Sequence, residues 1–262
     1  MGKKSKNIDV LEIHYGLYAK YFKRFIDILF SLSALIIFLP FLLIIGILIR
    51  IKIGKPIIFR QIRAGKDEKP FEMLKFKTML DIRDSDGRLL PDTERFSSFG
   101  NFLRNTSLDE LPELINVLKG DMSLIGPRPL YTFYLPYYTN EEALRHTVRV
   151  GITGLAQVNG RSHCGWNERF AYDIEYVQNI TFINDIKIFL KTILKVFLRS
   201  DIGKPGIDEE EGLHLVREIQ RPDRTKYLEW DNKNSRGVSN RPVFKGMKTG
   251  LFSQNDSDDL KP

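Results

Sequence analysis

Residues 28–49 carry no charged side chain, and no other feature restricts the fold of this chain as strongly. As an α-helix the run is roughly 33 Å long, enough to reach across the hydrocarbon core of a bilayer. Lys20, Lys23 and Arg24 precede it and Arg50, Lys52 and Lys55 follow it, and basic flanks at both ends ask for the same, cytoplasmic, side. Pro40 sits mid-run, where it lacks an N–H and its ring crowds the carbonyl one turn back. A helix bent there can enter the membrane and return to the face it left, so a re-entrant hairpin is favoured over a kinked spanning helix. The run begins too late for a signal peptide and lacks a small-residue cleavage site. The opening Met1-Gly2-Lys3-Lys4-Ser5-Lys6 fails as a myristoylation signal, because Lys6 stands where Ser or Thr is wanted.

With 262 residues, 42% of them hydrophobic, the chain can bury one substantial core. The expected division is a membrane anchor over residues 1–56, a catalytic domain over 57–200 and a polar, flexible extension over 201–262. In that extension Asp208-Glu209-Glu210-Glu211 and Asn/Asp/Ser/Gly-rich stretches replace apolar residues. The single cysteine, Cys164, excludes an internal disulfide, and His14, His146, His163 and His214 are too scattered for a Cys/His zinc site. A formal charge of +7 points to an anionic partner: nucleic acid, nucleotide or membrane surface.

Residues 57–63 and 71–79 are apolar and β-branched around a polar connection containing Gly65, which reads as a β-hairpin. Lys75 and Lys77 share one face of it; solvation explains that as well as an anionic ligand does. Residues 81–88 miss the register of a calcium loop, since Arg88 falls where a carboxylate or amide ligand belongs, and read as a polar turn. Gly151-Ile152-Thr153-Gly154-Leu155-Ala156-Gln157-Val158-Asn159-Gly160-Arg161 sets three glycines around a small apolar core, equally a nucleotide contact or a tight turn. Trp166, Phe170, Tyr172, Ile174 and Tyr176 fit a helix packed on the core. Farther on, Lys187, Lys191, Lys195 and Arg199 repeat every four residues, while Ile186, Phe189, Leu190, Ile193, Leu194 and Phe197 take another face. That is a basic amphipathic helix suited to anionic lipid. The expected fold class is α+β, predominantly α, with an N-terminal re-entrant membrane helix hairpin, a small β-hairpin and amphipathic interfacial helices.

The chemistry concentrates in Ser107-Leu108-Asp109-Glu110-Leu111-Pro112-Glu113-Leu114 and the following Lys119-Gly120-Asp121 and Gly126-Pro127-Arg128-Pro129. Pro112 fits a helix only in its first turn, which starts the helix at about Asp109. Leu111, Leu114, Ile115 and Leu118 then share one face, and Gly120 supplies the left-handed stop. Asp109 and Glu110 sit at the positive end of this helix, where helix capping explains them as well as catalysis does. Arg104 upstream and Arg128 in a loop stiffened by two prolines add the makings of an anion site. Two carboxylates repel a phosphate, each unit pair costing about 4 kcal/mol at ~4 Å and an effective dielectric near 20. A divalent cation removes that conflict, so the stretch reads as a Mg²⁺-assisted site where a carboxylate meets a phosphoryl group.

Taken in order, Lys23-Arg24-x-x-Asp27, Lys75-Phe76-x-Thr78-Met79, Ser107-Leu108-Asp109-Glu110-Leu111-Pro112, Gly120-Asp121-Met122-Ser123, Gly126-Pro127-Arg128-Pro129 and the 151–161 stretch form a specific combination. Over about residues 22–200 the chain resembles the monotopic polyprenyl-phosphate phosphoglycosyl transferases of bacteria. The likeness is close to the branch that transfers phospho-N,N′-diacetylbacillosamine in protein N-glycosylation. The resemblance implies that a UDP-sugar, expected to carry an N-acetylated amino sugar, donates its sugar-1-phosphate to undecaprenyl phosphate. The products are the undecaprenyl-diphospho-sugar and UMP, in the first membrane step of glycoconjugate assembly. It implies Asp109 as the nucleophile of an aspartyl-phosphosugar intermediate and as the Mg²⁺ ligand, with Glu110 assisting the lipid phosphate. Substrate contacts are implied for Arg104, Arg128, Lys75, Arg161 and Gln157. The implied location is the cytoplasmic face of the bacterial inner membrane, with membrane lipid and downstream glycosyltransferases as further partners and no nucleic acid. The alternative is a membrane-anchored nucleic-acid-binding or scaffold protein, which no helix-turn-helix, zinc or RNA-binding signature supports.

Overall fold

The computed structural model describes residues 15–160, 164–198 and 212–228. A π-helical turn, Tyr18–Phe22, runs straight into α1, Lys23–Lys52. Then follow β1 (Ile58–Ala64), β2 (Pro70–Phe76), α2 (Ser98–Asn105), α3 (Glu113–Lys119), β3 (Met122–Ile125) and β4 (Val150–Thr153). The last elements are α4 (Leu155–Asn159), α5 (Trp166–Gln178), α6 (Phe182–Leu198) and the short α7 (Leu213–Val216). Helices dominate and each described sheet has two strands, so the α+β, predominantly helical class is the one observed.

Pro40 lies inside α1, which is one continuous helix rather than two separate arms. The missing donor costs about 3 kcal/mol, which a helix of 30 residues absorbs. The middle of α1 is uncovered, with Ile36, Ile37, Leu39, Leu43, Ile44 and Ile47 exposed. Its two ends are not. At the start, Lys23 Nζ donates to Asp185 Oδ2 at 2.6 Å, and the Arg24 guanidinium donates to the carbonyls of Val117 and Leu118 at 2.6 and 3.0 Å. The Asp27 carboxylate accepts from the Leu124 amide at 3.1 Å. The Lys23-Arg24-x-x-Asp27 motif is thus the seam that joins the apolar helix to the rest of the chain. At the other end Ile45, Ile49 and Ile53 bury against Phe76 and Leu103.

β1 and β2 form the expected antiparallel hairpin, with Phe59 opposite Lys75. It ends at Phe76, so Lys77 leaves the sheet and donates instead to Asp81 and to the Lys55 carbonyl. The 81–88 segment is the polar turn expected, the Asp84 carboxylate accepting from the amides of Asp86 and Arg88. β3 and β4 pair in parallel. Glycines make that pairing possible: a Cβ on Gly151 would lie 2.1 Å from the Gly126 nitrogen, and one on Gly154 2.1 Å from the Gly126 oxygen. Close backbone packing therefore accounts for both residues.

Part of the extension expected to be flexible is folded. Leu213, Tyr227 and Leu228 are buried with Phe133, Tyr138 and Phe170 in one core cluster. Arginines of this stretch have fixed partners: Arg221 and Arg224 each lie 2.5 Å from a Glu68 oxygen, and Arg217 lies 2.6 Å from Glu142.

α5 buries Trp166, Phe170, Ile174 and Tyr176 as expected, whereas Tyr172, expected with them, stays outside the core and donates to Glu168 at 3.4 Å. α6 buries Asp185 and Ile188 on one side and leaves Ile183, Ile186, Phe189, Leu190, Ile193 and Leu194 exposed on the other. Arg199, the last cation of its basic repeat, is outside the described residues. Exchanging Lys187, Lys191 and Lys195 for Glu is expected to weaken binding to anionic vesicles by roughly 1 kcal/mol or more per residue. Neutral vesicles should be affected far less. Equal losses on both would mean that the apolar face of α6 is covered by protein.

Candidate active site

Ser107 adopts left-handed backbone at φ 55°, uncommon for a residue with a Cβ. It turns the chain out of α2 into a 3-10 turn, Leu108–Glu110. Leu108 packs into the cluster that holds Ile45, Ile49 and Leu103, so Asp109 sits one residue from the foot of the apolar helix. α3 starts at Glu113 rather than near Asp109, with Pro112 at the N-cap, where no amide donor is needed. Gly120 ends it at φ 97°, as expected.

The buried face of α3 is Glu113, Leu114, Asn116 and Val117, whereas Ile115, expected to face inward, is exposed. Two polar residues hold core positions because both have partners. Asn116 Oδ1 accepts from the Leu74 amide at 3.0 Å, and its Nδ2 donates to the Glu72 carbonyl at 2.6 Å and to Asp121 Oδ2 at 3.2 Å. Glu113 faces Lys75.

Lys75 Nζ lies 2.6 Å from Glu110 Oε1 and 3.2 Å from Glu113 Oε1. Arg128 Nη2 lies 3.1 Å from the same Glu110 oxygen, so Glu110 is clamped between two cations. The Arg128 carbonyl accepts from Arg145 Nη2 at 2.7 Å, and the buried Arg145 is in turn paired with Asp173 at 2.8 Å. Arg104 donates from Nε to Thr78 Oγ1 at 3.0 Å and lies over the Phe96 ring. Gln157 donates from Nε2 to the Ile152 carbonyl at 3.0 Å, and among the described residues it shows no hydrogen bond or ion pair to this cluster and its buried Oε1 has no hydrogen-bond partner. Arg161 is outside the described residues. The structure therefore joins Asp109, Glu110, Lys75 and Arg128, with Arg104 near enough to act on Asp109. Glu113 is the member that sequence reasoning missed; its spacing of three from Glu110 was the available signal.

The three carboxyls are not shifted alike. Burial raises Asp109 to about 6, with Glu110 adding to the rise and Lys75, Arg104 and Arg128 opposing it. Burial also works against the charged form of Glu110, but Lys75 and Arg128 outweigh it and hold that carboxyl at about 2. Glu113 is raised to about 7 by burial, against the pull of Lys75. No backbone amide among the described residues donates to Asp109 or Glu110, so neither acts as a helix cap.

Among the described residues no group of three or more His, Cys, Asp or Glu could hold a metal ion. Mg²⁺ needs less than that, taking one or two carboxylates and completing its shell with substrate phosphates and water. Asp109 suits such a role, because no ion pair or hydrogen bond among the described residues occupies its carboxylate, while Glu110 and Glu113 are engaged by Lys75.

The model of a family described as bacterial sugar transferase matches residues 18–199. The chain is 51% identical over 154 residues to the uncharacterized sugar transferase EpsL of Bacillus subtilis, a match covering 59% of this chain and 76% of that protein. It is 40% identical over 188 residues to a UDP-glucose:undecaprenyl-phosphate glucose-1-phosphate transferase of Klebsiella pneumoniae, covering 68% of this chain but only 40% of the relative. A protein of the same name from Caulobacter vibrioides is 39% identical over 188 residues, covering 65% of this chain and 68% of its own. The matched span contains the seam at Lys23, the Asp109 turn, Glu113 and the Arg128 loop, and the chain belongs to the bacterial sugar transferase family.

Proposed function

We propose that this protein transfers a sugar-1-phosphate from a UDP-sugar to undecaprenyl phosphate, releasing UMP, through an aspartyl-phosphosugar intermediate on Asp109. The observation that carries the reading is the asymmetry of the carboxylates: Glu110 is clamped by Lys75 and Arg128, while Asp109 beside it has no fixed partner among the described residues. An unoccupied carboxylate facing cations suits attack on a phosphoryl group. The substrates are taken from the names of the Klebsiella and Caulobacter relatives.

In the first step an Asp109 oxygen attacks the sugar-bearing phosphorus. A carboxylate–phosphorus bond forms, the bond from that phosphorus to the bridging oxygen breaks, and UMP leaves with the electron pair. Arg104, Lys75 and Arg128 hold phosphate oxygens. Asp109 would hold Mg²⁺, which would supply charge compensation at the phosphoryl group. In the second step an oxygen of undecaprenyl phosphate attacks the same phosphorus and Asp109 is released as a carboxylate. Glu110 keeps Lys75 and Arg128 in place until the lipid phosphate arrives.

The membrane part of the reading is a re-entrant α1 with the site at the cytoplasmic face. It is supported by the contacts of α1, since Arg24 and Asp27 at one end and Ile45 and Ile49 at the other meet the same folded body. A helix crossing the bilayer would put its ends on opposite faces. Cysteines introduced before Phe25 and after Lys55 are expected to react with an impermeant reagent from the cytoplasmic side only. Labelling from opposite sides would rule the re-entrant reading out. Pro40→Ala is expected to shift the segment toward spanning.

For the donor we propose a UDP-N-acetylated amino sugar, with the product passing to downstream glycosyltransferases of glycoconjugate assembly. UMP release measured over a panel of such donors and UDP-glucose tests this. Turnover confined to UDP-glucose would assign the relatives' sugar instead, and no UMP release from any donor would remove the transferase reading.

A further inference from the structure

We propose that Glu113 is a positioning residue for the reaction, holding the Lys75 ammonium group in the place from which it serves Glu110 and the substrate phosphate. This inference rests on the transferase reading above.

Glu113 projects from a helix locked onto the strand that carries Lys75. Asn116, one turn farther along the same buried face, accepts from the Leu74 amide and donates to the Glu72 carbonyl, which fixes α3 against β2 on either side of Met73. Glu113 therefore reaches Lys75 from a rigid base, at 3.2 Å. Lysine is a point charge on a flexible stem with three rotatable donors, so one carboxylate alone does not set its direction. Here two carboxylates on different elements, Glu110 in the 3-10 turn and Glu113 on α3, define it. A purely structural role is a weak explanation for Glu113, which is 2% exposed. A buried ionisable group is costly to desolvate, and replacing a whole buried ion pair by well-packed apolar side chains often costs no stability.

The test compares Glu113→Leu, Lys75→Met and the double variant by UMP release, with thermal unfolding measured on each. Glu113→Leu is expected to lose at least about tenfold in kcat/KM without a matching loss in Tm, and the double variant is expected to be no worse than Lys75→Met alone. Glu113→Gln, which keeps an acceptor oxygen for Lys75, should recover most of the loss. Losses that multiply in the double variant, or a Glu113→Leu protein as active as wild type, would overturn the proposal. A second readout needs no substrate: acylation of Lys75 by an amine-reactive reagent, followed by peptide mass analysis, should be several-fold faster in Glu113→Leu than in wild type. An unchanged Lys75 rate contradicts the positioning role even if the transferase reading itself fails, whereas a wild type without UMP release but with the faster Lys75 labelling in the variant condemns only that reading.

Discussion

Asp109→Asn is expected to lower UMP release by at least about a thousandfold while making the protein more stable. Asn keeps the size of the side chain and removes the anion that attacks phosphorus, so the chemical step is lost. The stability gain follows from the direction of the Asp109 shift. Its folded pKa, about 6, lies above the ordinary value of 3.8, so ionising it costs more in the folded protein than in the unfolded chain. Stability therefore falls as pH rises from near 4 to near 6 and stays lower above that, by about 3 kcal/mol at neutral pH. Asn carries no such penalty. A thermal melt at neutral pH without Mg²⁺ should show a higher Tm for Asp109→Asn than for wild type. A variant that is both active and unchanged in Tm would show that Asp109 is neither the nucleophile nor a strained buried anion.

Chelation of Mg²⁺ is the second large effect, expected to reduce UMP release by more than about a hundredfold and to be reversed by adding Mg²⁺ back. The argument is one of charge. Lys75, Arg104 and Arg128 stand against the carboxyls of Asp109, Glu110 and Glu113, so the cluster brings little net positive charge to an incoming diphosphate. Each uncompensated contact between Asp109 and a phosphate oxygen charge costs about 4 kcal/mol at ~4 Å and an effective dielectric near 20. Steady activity in the presence of a chelator would mean that Arg104, Lys75 and Arg128 alone neutralise the substrate and that Asp109 holds no metal.

The parts of the molecule legible in the sequence are those where one physical rule dominates. Twenty-two uncharged residues read as a membrane-seeking helix, the two apolar runs around Gly65 as a hairpin, and the period of residues 182–198 as an amphipathic helix. Gly120 ended α3 because only a left-handed residue could. The rule failed where polar groups found partners far away in sequence. Glu113 and Asn116 took the core face of α3 that periodicity would have given to Ile115, because Lys75 and the backbone of β2 satisfy them. The folded part of the extension was hidden for the same reason: the partner of Arg221 and Arg224 is Glu68, some 150 residues earlier. In the site, adjacency of Asp109 and Glu110 was plain, but the opposite directions of their pKa shifts were not. Those depend on which of the two faces Lys75 and Arg128, and that is set by the left-handed turn at Ser107.

The covalent intermediate is the central claim, and intact-protein mass after incubation with Mg²⁺ and UDP-sugar alone tests it most directly. The wild type is expected to gain the mass of one phosphosugar with release of UMP before any polyprenyl phosphate is added, Glu110→Gln to gain it as well, and Asp109→Asn to gain nothing. A wild type that releases no UMP until lipid phosphate is present, or an Asp109→Asn protein that still acquires the phosphosugar, would contradict the account and leave direct transfer between two bound substrates.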